Sequence, residues 1–200
     1  RTGLHDDLKI PLAGATPARI RMPHRNKNGQ YDNWAKTSLP WMSIGYETQV
    51  PPISTLTFYN TIANNGKMMR PRFVSKVMKN GETIMEFPPE VMRQQIAKEK
   101  SIKELQTILE QVVSVGLGKK AGSPNFKVAG KTGTAQISKG AGGYKSGGTS
   151  YLISFAGYFP ADAPRYSCIV CIQKSGLPAS GGTMCGKVFH QISEGIMAQS

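Results

Sequence analysis

The apolar positions of this chain change period several times, and each change marks an element. Up to about Val50 no period is sustained, and turn residues recur at Pro11, Pro17, Pro23, Gly29 and Pro40, so an irregular segment is expected there. Pro51-Pro52 then opens a helix, because proline fits a first helical turn. Ile53, Leu56, Tyr59, Ile62 and Ala63 form its apolar face, and Asn64-Asn65-Gly66 closes it, with Gly66 expected at C′. Two runs of strand formers flank Asn80-Gly81 in Arg72–Phe87, which predicts a hairpin. Ser101-x-x-Glu104 has capping-box spacing and begins a helix with Ile102, Leu105, Ile108, Leu109, Val112 and Val113 on one face, ended by Gly116 or Gly118.

Three strands follow, over Lys127–Ile137, Tyr151–Phe159 and Tyr166–Lys174. The last two are joined by a short "PADAPR" turn and are therefore antiparallel neighbours. Gly186–Ala198 predicts a closing helix with Val188, Phe189, Ile192, Ile196 and Met197 inward. Between the first two strands, Ser138–Thr149 is rich in Gly, Ser and Lys. It is expected to be a mobile loop, cut early by trypsin at Lys139 or Lys145.

Composition adds bounds. The chain has 200 residues, 39% apolar and 18% charged, enough for one domain with a core or a large piece of a bigger one. It contains no run of eighteen apolar residues, and its opening "RTGLHDDLKI" reads as the middle of a longer chain. The net charge of +13 favours anionic partners. Only Arg19, Arg21, Arg25 and Lys27 cluster, in a segment with Pro17, Pro23 and Gly29, and no recognition-helix pattern accompanies them. Nucleic acid is not the expected partner. Cys168-x-x-Cys171 sits inside the strand-like "YSCIVCIQ", where odd spacing sends the two thiols to opposite faces. A metal or redox pair needs a turn or a helix start, so buried free thiols are expected and no metal or cofactor is implied.

The most informative stretch is "KVAGKTGTAQI", Lys127 to Ile137, because little acid surrounds Lys131: after Ala121 the acidic residues are Asp162 and Glu194. A phosphate-binding loop is excluded, since Asn125 stands where its first glycine belongs and Thr134–Ile137 continues as strand rather than helix. On a strand, Lys131-Thr132-Gly133-Thr134 has a coherent chemistry. Period two puts Thr132 and Thr134 on one face, where two hydroxyls can grip one carboxylate. Gly133 leaves room for a substrate backbone along the strand, Lys131 supplies a positive field and a proton-transfer partner, and the Thr134 N–H can meet a developing oxyanion. Lys-Thr-Gly is also an element of serine acyl-transferases.

Longer stretches extend this. "SIGYETQVPPISTLTFYNTIANNGKMMRP", "VAGKTGTAQ", "YLISFAGYFPADAPRYSCIVCIQKS" and "SGGTMCGKVFHQISEGIM" resemble, in that order, segments of class B penicillin-binding proteins of the FtsI-like type. The resemblance covers residues 1–200, with Glu47, Pro51 and Lys187 departing from the family's usual Gly, Thr and Pro. It implies an α/β fold of the α+β type, an antiparallel sheet flanked by helices as in penicillin-binding proteins and serine β-lactamases, to which this chain would give three strands. It also implies an enzyme that cross-links peptidoglycan through an acyl-serine, with peptidoglycan stem peptides and β-lactam antibiotics as ligands. By the same resemblance Lys131 and Thr134 would be catalytic, and Thr132, Gly133 and Thr134 would bind substrate. The intact protein would be extracytoplasmic, held by an N-terminal transmembrane helix outside this chain, beside membrane proteins of division or elongation. No Ser-x-x-Lys occurs in the sequence, and its one Ser-x-Asn, Ser123-Pro124-Asn125, lies just before the Lys131 strand, where the family has none. The expectation is a C-terminal piece of the transpeptidase domain without its nucleophile, inactive alone. A serine β-lactamase and a non-catalytic penicillin-sensing or scaffolding domain are the alternatives.

Overall fold

A computed structural model describes residues 2–137 and 149–200, so most of the expected mobile loop and both of its trypsin sites lie outside the described residues. The N-terminal segment is built of small ribbons: β1 (Arg19–Ile20), β2 (His24–Arg25), β3 (Tyr31–Asp32), the short helix α1 (Ser38–Ser43) and β4 (Thr48–Gln49). β1 pairs with β4 and β2 with β3, which gives this segment more order than its turn residues suggest.

Helix α2 spans Pro52–Ala63 behind Pro51 as its N-cap. Of the face read from the sequence Ile62 is fully buried, with Tyr59 and Ala63 packed partly buried beside it, but Ser54, Thr57 and Thr61 are buried where Ile53 and Leu56 were expected. Those threonines bury without orphaned groups because each hydroxyl donates to the carbonyl one turn back, Thr57 to Ile53 at 2.8 Å and Thr61 to Thr57 at 2.7 Å. At its end the Gly66 N–H bonds to the Thr61 carbonyl and the Asn65 N–H to that of Ile62. This is a Schellman end with Asn65 at C′ (φ +53°), one residue earlier than expected, and Gly66 beyond it at φ +94°.

The predicted hairpin is β6 (Lys76–Lys79) with β7 (Glu82–Glu86), turning through Asn80 and Gly81 at φ +52° and +86°. It projects beside a shorter ribbon of β5 (Met68–Met69) and β8 (Val91–Arg93). Helix α3 runs Glu99–Ser114 from an N-cap at Lys98 that makes no side-chain bond, so the capping box does not form. Ser101 lies inside the first turn, where Glu99 pairs with Lys103 at 2.6 Å. Ile102, Leu109 and Val113 are buried, while Ile108 is exposed.

The main sheet is β11-β10-β9, all antiparallel, from β9 (Ala129–Ile137), β10 (Ser150–Phe159) and β11 (Tyr166–Ser175). Registers Gly133↔Ser154 and Ser154↔Cys171 fix which residues share a face. One face sets Ile153, Phe155 and Phe159 against Phe189 of α4 (Gly186–Met197), with the Phe155 and Phe189 rings 4.8 Å apart. The other sets Ala129 and Tyr158 against Ile62 of α2 and Leu109 of α3. Helices thus cover both faces, the α+β arrangement expected. In α4, Phe189 is fully buried while Val188 and Ile192 are more than a third exposed, a narrower inward stripe than predicted. The three cysteines are free: Cys168 is half-buried on the Phe155 face, Cys185 is buried and Cys171 is exposed on the opposite face. The expectation of two buried thiols in the strand fails for Cys171, because that side of β11 is covered less completely.

Candidate functional site

β9 begins inside the core and climbs out of it. Ala129 and Gly130 are buried, and Gly130 has no room for a side chain, since a Cβ would come 2.6 Å from the Phe155 ring. From Lys131 onward the strand is partly or fully exposed. Among the described residues it is the edge of the sheet, paired only with β10.

The hydrogen-bonding sense of that edge, fixed by the pairing with β10, is revealed by a contact from far away in sequence. The backbone N–H of Gln136 donates to the Tyr46 hydroxyl at 3.2 Å, so it points away from β10. Donors two residues apart on a strand point the same way. The N–H groups of Thr134 and Thr132 therefore also face the open edge, with the carbonyls of the same residues.

Lys131 reaches round to that edge. Its Nζ donates to the Thr132 carbonyl at 2.9 Å and lies 3.4 Å from Thr132 Oγ1. Among the described residues no carboxylate pairs with it. Lys127, four residues earlier, is tied to Glu110 of α3 at 2.8 Å, which raises its pKa, chiefly through that hydrogen bond. One lysine is thus paired with the helix that covers the start of the strand, and the other meets no carboxylate among the described residues.

Thr132 and Thr134 share the face that carries Ile153 and Phe155, opposite to Lys131 and Gly133. A π-helical turn, Gly181–Cys185, crosses this face at the strand edge. The Gly181 N–H donates to Thr134 Oγ1 at 3.4 Å. The approach is close enough to exclude side chains. A Cβ on Gly181 would come 2.3 Å from the Ser154 carbonyl, and one on Gly182 would come 2.2 Å from that of Leu117. On the other face the space beside Gly133 is taken by Ser154, whose Oγ would lie 2.4 Å from a Cβ there.

The structure thus gathers the Lys131 ammonium, the Thr132 and Thr134 hydroxyls and the outward Thr134 N–H around one stretch of open edge. A groove of about 1420 Å³ continues from its far end, lined by Arg19, Arg21, Tyr46, Glu47, Ala135 and Gln136 among others. Such an edge can pair with an extended peptide while an adjacent cation and two hydroxyls hold a carboxylate. Ser123 and Asn125 do not join it. Both donate to Glu194 of α4, Asn125 Nδ2 at 3.2 Å, and hold its carboxyl below the usual range, mainly through the Ser123 bond. They clamp the last helix. Sequence reasoning missed Tyr46 and Gly181 as parts of the site. Gly181-Gly182 had a signal, two adjacent glycines before a helix; Tyr46 had none beyond its place in "SIGYE".

The chain is similar to penicillin-binding protein PbpB of Mycolicibacterium smegmatis, 29% identical over 177 residues that cover 83% of this chain and 27% of the relative. It is 28% identical to the peptidoglycan D,D-transpeptidase FtsI of Escherichia coli over 84% of this chain and 26% of that protein. The chain therefore spans about a quarter of the length of these relatives. Penicillin-binding protein 3 of Mycobacterium tuberculosis, solved with aztreonam, superposes with a TM-score of 0.76 at 26% identity, over 99% of this chain and 44% of that one. The model of the penicillin-binding protein transpeptidase domain matches residues 16–194, and the chain belongs to that family.

Proposed function

We propose that this chain is the C-terminal part of the transpeptidase domain of a peptidoglycan cross-linking enzyme, and that β9 is the wall that receives the acyl donor. The observation that carries this reading is the open edge at Thr134, whose outward N–H lies near two hydroxyls and the Lys131 ammonium, which meets no carboxylate among the described residues. A serine from a segment outside this chain attacks the carbonyl of a D-Ala-D-Ala terminus. The Thr134 N–H donates to the developing oxyanion, and the Thr132 and Thr134 hydroxyls hold the terminal carboxylate. Lys131 supplies the field that favours both negative charges and relays the serine proton toward the leaving amine. The acyl-serine then passes to an amine on a neighbouring stem. β-Lactams mimic the dipeptide and stop at the acyl-serine, in keeping with a similar protein having been solved with aztreonam.

The same reading puts the whole protein outside the cytoplasm, anchored by an N-terminal membrane helix and working with membrane proteins of division or elongation. Among the described residues no helix is long and apolar enough to cross a membrane. Acylation by a fluorescent penicillin tests the proposal. The 200-residue chain alone should remain unlabelled. In the full-length protein Lys131→Ala should slow acylation on the order of a hundredfold. Labelling of the isolated chain, or a native rate in Lys131→Ala, would overturn it.

A further inference from the structure

Tyr46 is held in place from three sides. Its backbone N–H bonds to the Trp41 carbonyl at 3.0 Å, its ring meets the Trp41 ring edge-on at 5.0 Å, and its hydroxyl takes the Gln136 N–H at 3.2 Å. The turn that presents it needs left-handed backbone on either side, at Gly45 (φ +94°) and Glu47 (φ +55°). Left-handed glutamate is strained. Glu47 is held there by an ion pair with Arg21 at 3.1 Å. A strained turn, an aromatic prop and a bond to a strand ninety residues away converge on one hydroxyl at the open edge.

We infer that Tyr46 is a stop on that edge, a specificity-determining residue that ends the pairing between β9 and the acyl-donor peptide after the rung at Thr134. The inference rests on the reading of β9 as the receiving wall. The outward donors of the strand are the N–H groups of Thr132, Thr134 and Gln136, spaced about 7 Å apart. With the donor's carboxylate toward Lys131 and its scissile carbonyl at Thr134, the rest of the peptide runs antiparallel to β9 toward Gln136. The carbonyl two residues back would then meet the Gln136 N–H. Tyr46 already holds that N–H and fills the space in front of it. The peptide must leave the edge there and enter the groove lined by Arg19, Arg21 and Gln49. The strand thus reads only the terminal dipeptide by backbone pairing, and anything earlier in the donor is chosen by side-chain contacts in the groove. A donor of two residues, or a bicyclic mimic of it, loses nothing on this edge by being short.

The test is a titration of the isotopically labelled chain with millimolar diacetyl-Lys-D-Ala-D-Ala, followed through backbone amide shifts. In the native chain the Thr132 and Thr134 amides should move and that of Gln136 should not. In Tyr46→Phe, which frees the N–H, and in Tyr46→Ala, which also clears the space, the Gln136 amide should join them. Affinity should rise about three- to tenfold in Tyr46→Ala, the worth of one added hydrogen bond. Unchanged Phe155 and Cys168 amides in the free variants establish that the sheet is intact. Movement of Gln136 in the native chain overturns the stop, as does its silence in both variants while Thr134 responds. If neither Thr132 nor Thr134 moves in any chain, the receiving-wall reading itself fails and the stop falls with it.

Discussion

Thr134 Oγ1 lies 3.4 Å from the backbone nitrogen of Gly181, across the seam between β9 and the turn before α4. That N–H engages one lone pair of the hydroxyl, so the hydroxyl proton is free to point along the open edge, where the proposed carboxylate would sit. Thr134→Val should therefore lower penicillin acylation of the full-length protein about ten- to a hundredfold and, by leaving the buried Gly181 N–H without its acceptor, lower the melting temperature by a few degrees, whereas Thr134→Ser should stay near native in both. Gly181→Ala should act on stability instead. Its Cβ would strike the Ser154 and Gly133 carbonyls, both backbone atoms in the sheet, and urea unfolding should show a loss on the order of 2 kcal/mol.

Ser123 and Asn125 offer the converse case. Their spacing imitates a catalytic element, but both side chains are spent on Glu194. Ser123→Ala should leave acylation within about twofold of native while loosening α4. Faster amide exchange in Gly186–Met197, with β9 unchanged, is the expected signature. A large loss of acylation would make Ser123 a catalytic candidate.

What could be read from the sequence follows the range of the forces involved. The Asn80-Gly81 hairpin, the β10–β11 pair and the Lys131 strand were legible because turn chemistry and period two are local. The polar part of the buried face of α2 was not. Ser54, Thr57 and Thr61 look polar in a list, and only bonds back to the preceding turn make threonine burial inexpensive. The start of α3 was misplaced because Ser101-x-x-Glu104 fits a capping box, yet the helix begins at Glu99. Lys131 to Thr134 stood out because their chemistry lies in four consecutive residues. Tyr46 and Gly181 reach the same edge only through tertiary contacts with β9: the Gly181-Gly182 pair marks a tight turn without saying what it packs on, and nothing around Tyr46 announces its contact.

The cysteines differ in access rather than pairing. Cys171 is exposed, Cys168 is half-buried and Cys185 is fully buried, and burial pushes all three thiols above their usual pKa. None is an activated thiolate. Alkylation of the folded chain at neutral pH, read by mass spectrometry, should modify Cys171 first and Cys185 last. Under denaturing, non-reducing conditions all three should react. A Cys168–Cys171 disulfide is incompatible with their places on opposite faces of β11, and finding one would overturn the strand assignment.

An ion pair ties the N-terminal segment to the β5–β8 ribbon. Arg93 donates to both carboxylate oxygens of Asp6, at 2.7 and 2.9 Å. The Arg93 hydrogen bond, aided by its charge, holds the Asp6 carboxyl below its ordinary value, against a smaller opposing effect of burial. A carboxyl whose pKa is lower in the folded chain than in the unfolded one stabilises the fold above the unfolded value. That contribution fades as pH falls through the folded value, because the unfolded chain takes up the proton first. Asp6→Asn keeps the shape of the side chain and removes the charge. Its melting temperature should lie roughly 3 °C below native at pH 7. The gap should begin to narrow below about pH 4, where an ordinary aspartate protonates, and close at still lower pH. A gap that persists unchanged through that acid range would show that Asp6 acts by packing rather than by its charge.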